Sequence, residues 1–104
     1  MKRALIISPF SGNVLENMAY LNQCLAYAIS HGYAPFAGHA YLPDALDDND
    51  PAQRRLGMKI GREWARFAEI ALCFCDLGVS KGMRSDVLAA IAAGISVESL
   101  RIRR

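Results

Sequence analysis

Apolar residues come in short unbroken runs and in longer helical repeats, and the two alternate along the chain. The segment Arg3–Ser8 is a short apolar run closed by Ser8-Pro9, the pattern of a buried parallel strand. Asn13 is placed to cap a helix over Val14–Ser30, where Leu15, Met18, Leu21, Leu25, Ala28 and Ile29 recur at helical spacing. His31-Gly32 ends it. Tyr33–Ala37 reads as a second strand, near an edge because Pro35 cannot donate to a ladder. Gly38–Asp50 is the least regular stretch and reads as a long loop anchored by Ala40, Tyr41, Leu42 and Leu46. Asp50-Pro51 then starts a helix to about Phe67, with Leu56, Ile60, Trp64 and Phe67 on one face. Ile70–Cys75 is a third strand, Gly82–Ala93 a helix closed by Gly94, and Ser96–Ile102 a last strand.

Strands alternating with helices imply right-handed crossovers and a parallel sheet covered on both faces. The expected fold is therefore α/β, a flavodoxin/Rossmann-like three-layer sandwich. Its sheet has four parallel strands, with room for a fifth, in the order 2-1-3-4. At 104 residues the chain suits one domain spanning 1–104. In such sheets ligands bind beyond the C-terminal strand ends, where the strand order reverses. That places a crevice between strands one and three, under the loops Ser8–Asn13 and Asp76–Asp86.

Composition narrows the classes. The net charge is +2, which argues against a dedicated nucleic-acid binder, and the cluster Arg101, Arg103 and Arg104 reads as a solvated tail. No run approaches the roughly 20 apolar residues of a membrane span, and the N-terminal apolar run is too short for a signal peptide. A cytoplasmic protein is expected. Three cysteines without CxxC spacing suggest neither a disulfide framework nor zinc, and Cys73 and Cys75 read as buried strand thiols. His39 with Asp44, Asp47 and Asp48 matches no ligand spacing, so no metal or other cofactor is expected. A domain this small gains from burying surface in a homo-oligomer, to which the Tyr20, Leu21 and Tyr27 side of the first long helix is a candidate contributor, while Met58, Trp64 and Phe67 read as core or subunit interface rather than a base-stacking platform.

Both loops join a strand end to a helix start. The first, Ser8-Pro9-Phe10-Ser11-Gly12-Asn13, offers backbone N–H groups, hydroxyls and an amide to an anion, although a plain capped turn has the same residues. In the second, Ser80, Gly82 and Met83 lie where a phosphate can sit, and Asp86 directs a carboxylate toward the same crevice. A carboxylate there can attack an anomeric carbon. The alternative for Asp86 is a first-turn acid that complements the helix dipole. His39, after the second strand, lies at the same edge.

These loops, together with Gly61-Arg62-Glu63-Trp64 and the strand Ile70–Cys75, resemble the nucleoside 2-deoxyribosyltransferase-like superfamily, which includes the 2′-deoxynucleoside 5′-phosphate N-hydrolases. The opening Ser-Pro-Phe-Ser-Gly-Asn, the Gly-His and acidic-Pro stretch, and Gly-Met before an acid are most like its short bacterial and phage members. The likeness runs from about Leu5 to Ile102. It implies that the nucleophilic glutamate of Ser-x-Gly-x-x-x-Glu falls on Asp86, with Ser80 and Gly82 at a 5′-phosphate contact. A Gly-Ser-x-x-Gly loop falls on Ser8–Gly12. Two departures stand out: Asp86 is one methylene shorter than glutamate, and Gly61 occupies the place of an acid. Asp76 is a substitute base-facing carboxylate. The resemblance implies an N-glycosidic-bond enzyme, a deoxyribosyltransferase or N-hydrolase, acting on a small-molecule nucleoside or nucleotide. A catalytically weak nucleotide-binding module and a structural oligomer are the alternatives.

Overall fold

The computed structural model describes residues 1–103. Four strands, β1 (Lys2–Ile7), β2 (Tyr33–Phe36), β3 (Ile70–Phe74) and β4 (Ser96–Leu100), form one sheet in the order β2-β1-β3-β4. Every pairing is parallel, with Leu5 opposite both Phe36 and Ala71, and Cys73 opposite both Ile7 and Ser99. The predicted order and class therefore hold, with four strands among the described residues. The helices are α1 (Val14–Ser30), α2 (Leu42–Ala45), α3 (Pro51–Ala65) and α4 (Lys81–Ala92). The stretch expected to be loop, Gly38–Asp50, contains a 3-10 turn at Gly38–Ala40 and the single turn of α2. Pro43 near the start of α2 stabilises that turn, because proline is tolerated where no N–H partner is needed. No helix among the described residues is long and apolar enough to cross a membrane.

Period-two alternation sorts the central strands onto two faces. Ala4 and Ile6 of β1 and Leu72 and Phe74 of β3 face α1, where Tyr20, Leu21, Cys24 and Ala28 complete a core with no access to solvent at these helix positions. Tyr27 meets Phe74 edge-on with ring centroids 5.8 Å apart. The opposite face is thinner: Ile7, Ala71 and Cys73 pack only against Met83 and Ala90 of α4, with Val87, Ile95 and Val97 at the margin.

Helix α3 departs most from expectation. Asp50 caps it by accepting from Ala52 N at 3.0 Å, as predicted, yet none of its residues is buried. Leu56, Trp64 and, just beyond the helix, Phe67 are 47%, 58% and 60% exposed. The apolar stripe was legible, but what it packs against was not: α3 stands off the sheet and leaves a gap between itself and α4. Tyr20 and Leu21 also differ from expectation, since both are consumed by the chain's own core. Leu15 and Ile29 at the ends of α1 face solvent instead. The terminal arginines are not a uniform tail. Arg103 donates from Nε to Gln23 at 2.9 Å and stacks 4.8 Å over the Tyr20 ring, Arg101 is exposed, and Arg104 lies outside the described residues.

Candidate functional site

The gap left by α3 is a crevice of about 680 Å³ above the C-terminal ends of β1 and β2. Its floor is sheet, its walls are α3 and α4, and its rim is formed by the segments after β1 and β2. Ser8, Phe10, Ser11, His39, Ser80, Gly82, Met83 and Asp86 all line it. Gly12 and Asn13 do not. Gly12 instead takes a left-handed φ of +98° that turns the chain into α1, and Asn13 Oδ1 accepts from Glu16 N at 3.1 Å.

Ser8, 7% exposed at the end of β1, brings Oγ to 2.7 Å from Nε2 of His39 on the 3-10 turn. Desolvation by the surrounding protein lowers the His39 pKa to about 4, so the imidazole is neutral at pH 7. Neutral imidazole keeps one acceptor and one donor, and the bond to Ser8 uses one of them. The Phe10–Ser11 backbone is pinned from below by Asn17, whose Nδ2 donates to Phe10 O (2.9 Å) and Ser11 O (3.0 Å). Asn17 is buried on α1 and was not singled out by the sequence. A polar residue at an otherwise apolar helical position was the signal available.

On the facing wall, Ser80 caps α4 by accepting from Met83 N at 3.2 Å. Asp86 opens into the crevice one and a half turns later. Water reaches its carboxylate there, but the flanking protein strips part of its hydration. That desolvation raises its pKa, and the positive charge of Arg62 acts in the opposite direction. Neither Arg84 nor Lys81 forms an ion pair with it; among the described residues the ion pairs are Arg3–Glu69 and Arg66–Glu63. Gly61 also lines the crevice, and a Cβ added there meets nothing within 4 Å.

Asp76 does not belong to this arrangement. It lies outside the crevice, and its carboxylate accepts from Tyr20 Oη (2.6 Å), Ile102 N (3.0 Å) and Arg103 N (2.7 Å). Desolvation works against its ionisation, but these three donors outweigh it and hold the carboxyl at about 2. Burial, and secondarily the same contact, push the Tyr20 hydroxyl well above its ordinary range. Asp76 thus ties the C-terminal segment to α1, and its role as a base-facing carboxylate is set aside. Among the described residues, no three His, Cys, Asp or Glu side chains gather as a metal would require.

A family described as a domain of unknown function, DUF7768, matches residues 2–100. The chain belongs to the DUF7768 family. No curated protein matches it in sequence. Among solved structures, this DUF7768 domain is similar to a 2-deoxyribosyltransferase from the psychrotolerant bacterium Bacillus psychrosaccharolyticus. That match has a TM-score of 0.69 and 18% identity and covers 95% of this chain and 72% of the other. It is similar as well to a 2-desoxiribosyltransferase from Leishmania mexicana, with a TM-score of 0.68 and 13% identity, over 99% of this chain and 66% of that one. The DUF7768 domain therefore has a nucleoside 2-deoxyribosyltransferase-like fold, and it spans about two thirds of the length of the second relative.

Proposed function

We propose that the crevice binds a nucleoside or nucleotide and that Asp86 attacks its anomeric carbon. The observation that carries this reading is the Asp86 carboxylate, unpaired and opening into the crevice across from Ser8, Ser11 and His39. In the reaction, an Asp86 carboxylate oxygen bonds to C1′ as the N-glycosidic bond breaks. The bonding pair leaves with the base, which is protonated from water. Water, or the nitrogen of a second base, then displaces Asp86 and restores the carboxylate. Ser11, with the backbone N–H groups of Phe10 and Ser11, holds the sugar, and His39, fixed by Ser8, offers its remaining ring nitrogen to the base. Phe10, Phe36 and Leu42 supply the apolar wall that a base needs. Because only the ionised carboxylate is nucleophilic, turnover should rise with pH through the raised pKa of Asp86.

The test is to incubate the protein with deoxynucleosides and their 5′-phosphates and follow free base by chromatography, with Asp86→Asn as control. Base release that the substitution abolishes supports the proposal. Gly61 favours a second reading, a binding module without turnover, because no carboxylate stands where the resemblance calls for one. That reading requires ligand-induced thermal stabilisation without base release. No response to any ligand overturns both.

A further inference from the structure

The wall of the crevice formed by α3 has a charge pattern that the reading above leaves unused. Arg55, Lys59, Arg62 and Arg66 follow one another at +4, +7 and +11 along the helix, and all four line the crevice. At 100° per residue these positions fall within about 60° of arc, and at 1.5 Å per residue they extend about 16 Å. The stripe is only lightly neutralised. Arg66 is paired with Glu63 at 2.7 Å, whereas Arg55, Lys59 and Arg62 have no ion-pair partner among the described residues. Arg62, the last unpaired member, lines the same crevice as Asp86, and its charge favours the ionised carboxylate there.

The loops opposite offer only neutral donors. Ser80 Oγ accepts from Met83 N and Asn13 Oδ1 from Glu16 N, bonds that leave the Ser80 O–H and the Asn13 amide N–H groups unused. A multiply charged phosphate chain therefore finds its cationic partners within the crevice on α3 rather than at the two helix starts. The unpaired part, Arg55 to Arg62, spans about 10 Å at 1.5 Å per residue, which is also longer than one phosphate can use. We infer that the crevice takes a nucleotide with a chain of two or more phosphates, its sugar at Asp86 and its phosphates along Arg62, Lys59 and Arg55. This inference rests on the proposed nucleotide reading and specifies its substrate class.

The test is calorimetric titration of the full chain with one deoxynucleoside and its 5′-mono-, di- and triphosphates, alongside inorganic tripolyphosphate and a short single-stranded oligonucleotide. The expected result is a Kd that falls about tenfold for each added phosphate, the low end for a charge-assisted hydrogen bond. The trend should weaken as salt rises. In Arg55→Gln/Lys59→Gln the ratio of monophosphate to triphosphate Kd should collapse toward one. Both side chains are exposed, so the variant keeps its fold. Equal affinity for nucleoside and triphosphate overturns this inference and leaves the nucleoside reading standing. Tripolyphosphate or oligonucleotide binding as tightly as the triphosphate also overturns it. No binding by any nucleoside or nucleotide overturns the reading on which it rests.

Discussion

Asp76→Ala should destabilise the fold by about 2–3 kcal/mol without touching the crevice. The carboxylate accepts three hydrogen bonds, and each bond to a charged group contributes roughly 1.5–3 kcal/mol when its partner cannot turn to water. Two of the donors, the N–H groups of Ile102 and Arg103, lie near the surface at the chain end and regain water when the carboxylate is removed. Tyr20 cannot, because it is fully buried. Only the Tyr20 bond therefore counts at nearly full value, together with a smaller loss from releasing the C-terminal segment and the Arg103 contact with the Tyr20 ring. For a domain of about this size the loss corresponds to a fall in Tm of roughly 10–20 °C. The pH dependence has a definite sign. Asp76 titrates at about 2 in the folded protein against 3.8 ordinarily, so its contribution is present above pH 4 and is lost as pH falls toward 2. Urea unfolding followed by far-UV circular dichroism should show the gap between wild type and Asp76→Ala narrowing between pH 5 and pH 2. Tyr20→Phe should cost less, and the double variant should lose less than the sum of the two. A gap below about 0.5 kcal/mol at pH 7, or one that does not change with pH, refutes the clamp.

Three further outcomes are expected. Asp86→Asn should raise Tm at pH 7 while it removes activity: a raised folded pKa favours the protonated form, so the wild-type residue is stabilising only at low pH, and the gain should shrink as pH falls toward 4. Thermal melts at the two pH values check it, and an equal gain at both contradicts the partial desolvation of that carboxylate. Gly61→Asp should fold with a stability change within about 0.5 kcal/mol, since the added side chain enters open space and Asp suits a helix slightly better than Gly. Under the enzyme reading it also increases base release. In the native protein one thiol should react quickly with a disulfide reagent and three after unfolding, because Cys24 and Cys73 are buried and pushed up to about 12, while Cys75 is partly exposed.

Strand order, and a site at the C-terminal strand ends, could be read from the sequence because both depend on alternation, which short-range pattern records. The crevice was expected between β1 and β3 and instead lies over β1 and β2, because α3 stands off that side of the sheet. Arg3–Ser8 and Ile70–Cys75 had compositions only a doubly covered strand tolerates, and Asn13 and Asp50 serve as the caps their neighbours need. What escaped was long-range. Leu56, Trp64 and Phe67 form the same apolar stripe whether or not a sheet lies beneath them. Asp76 sits at a strand end where ligands often bind, and only the return of residues 102 and 103 to it reveals a structural anchor. The basic stripe on α3 is visible in the sequence as a spacing, but only the gap beneath the helix turns it into the wall of a site.

The two faces of the sheet divide the work of the molecule. On the α1 side, large side chains such as Tyr20, Leu21, Leu72 and Phe74 fill the space and are locked by the Asp76 contact, so this side carries most of the burial that stabilises the fold. On the α4 side the core is smaller, Ile7, Ala71, Cys73, Met83 and Ala90, and it is covered by α4 alone; α3 stands apart, and the crevice lies between the two helices. The same separation lets α3 present cationic groups to the gap, beside Met58 and Ala65, because no strand lies directly beneath it. A desolvated carboxylate such as Asp86 is tolerated for a related reason, since the well-packed face opposite supplies stability that the open face lacks.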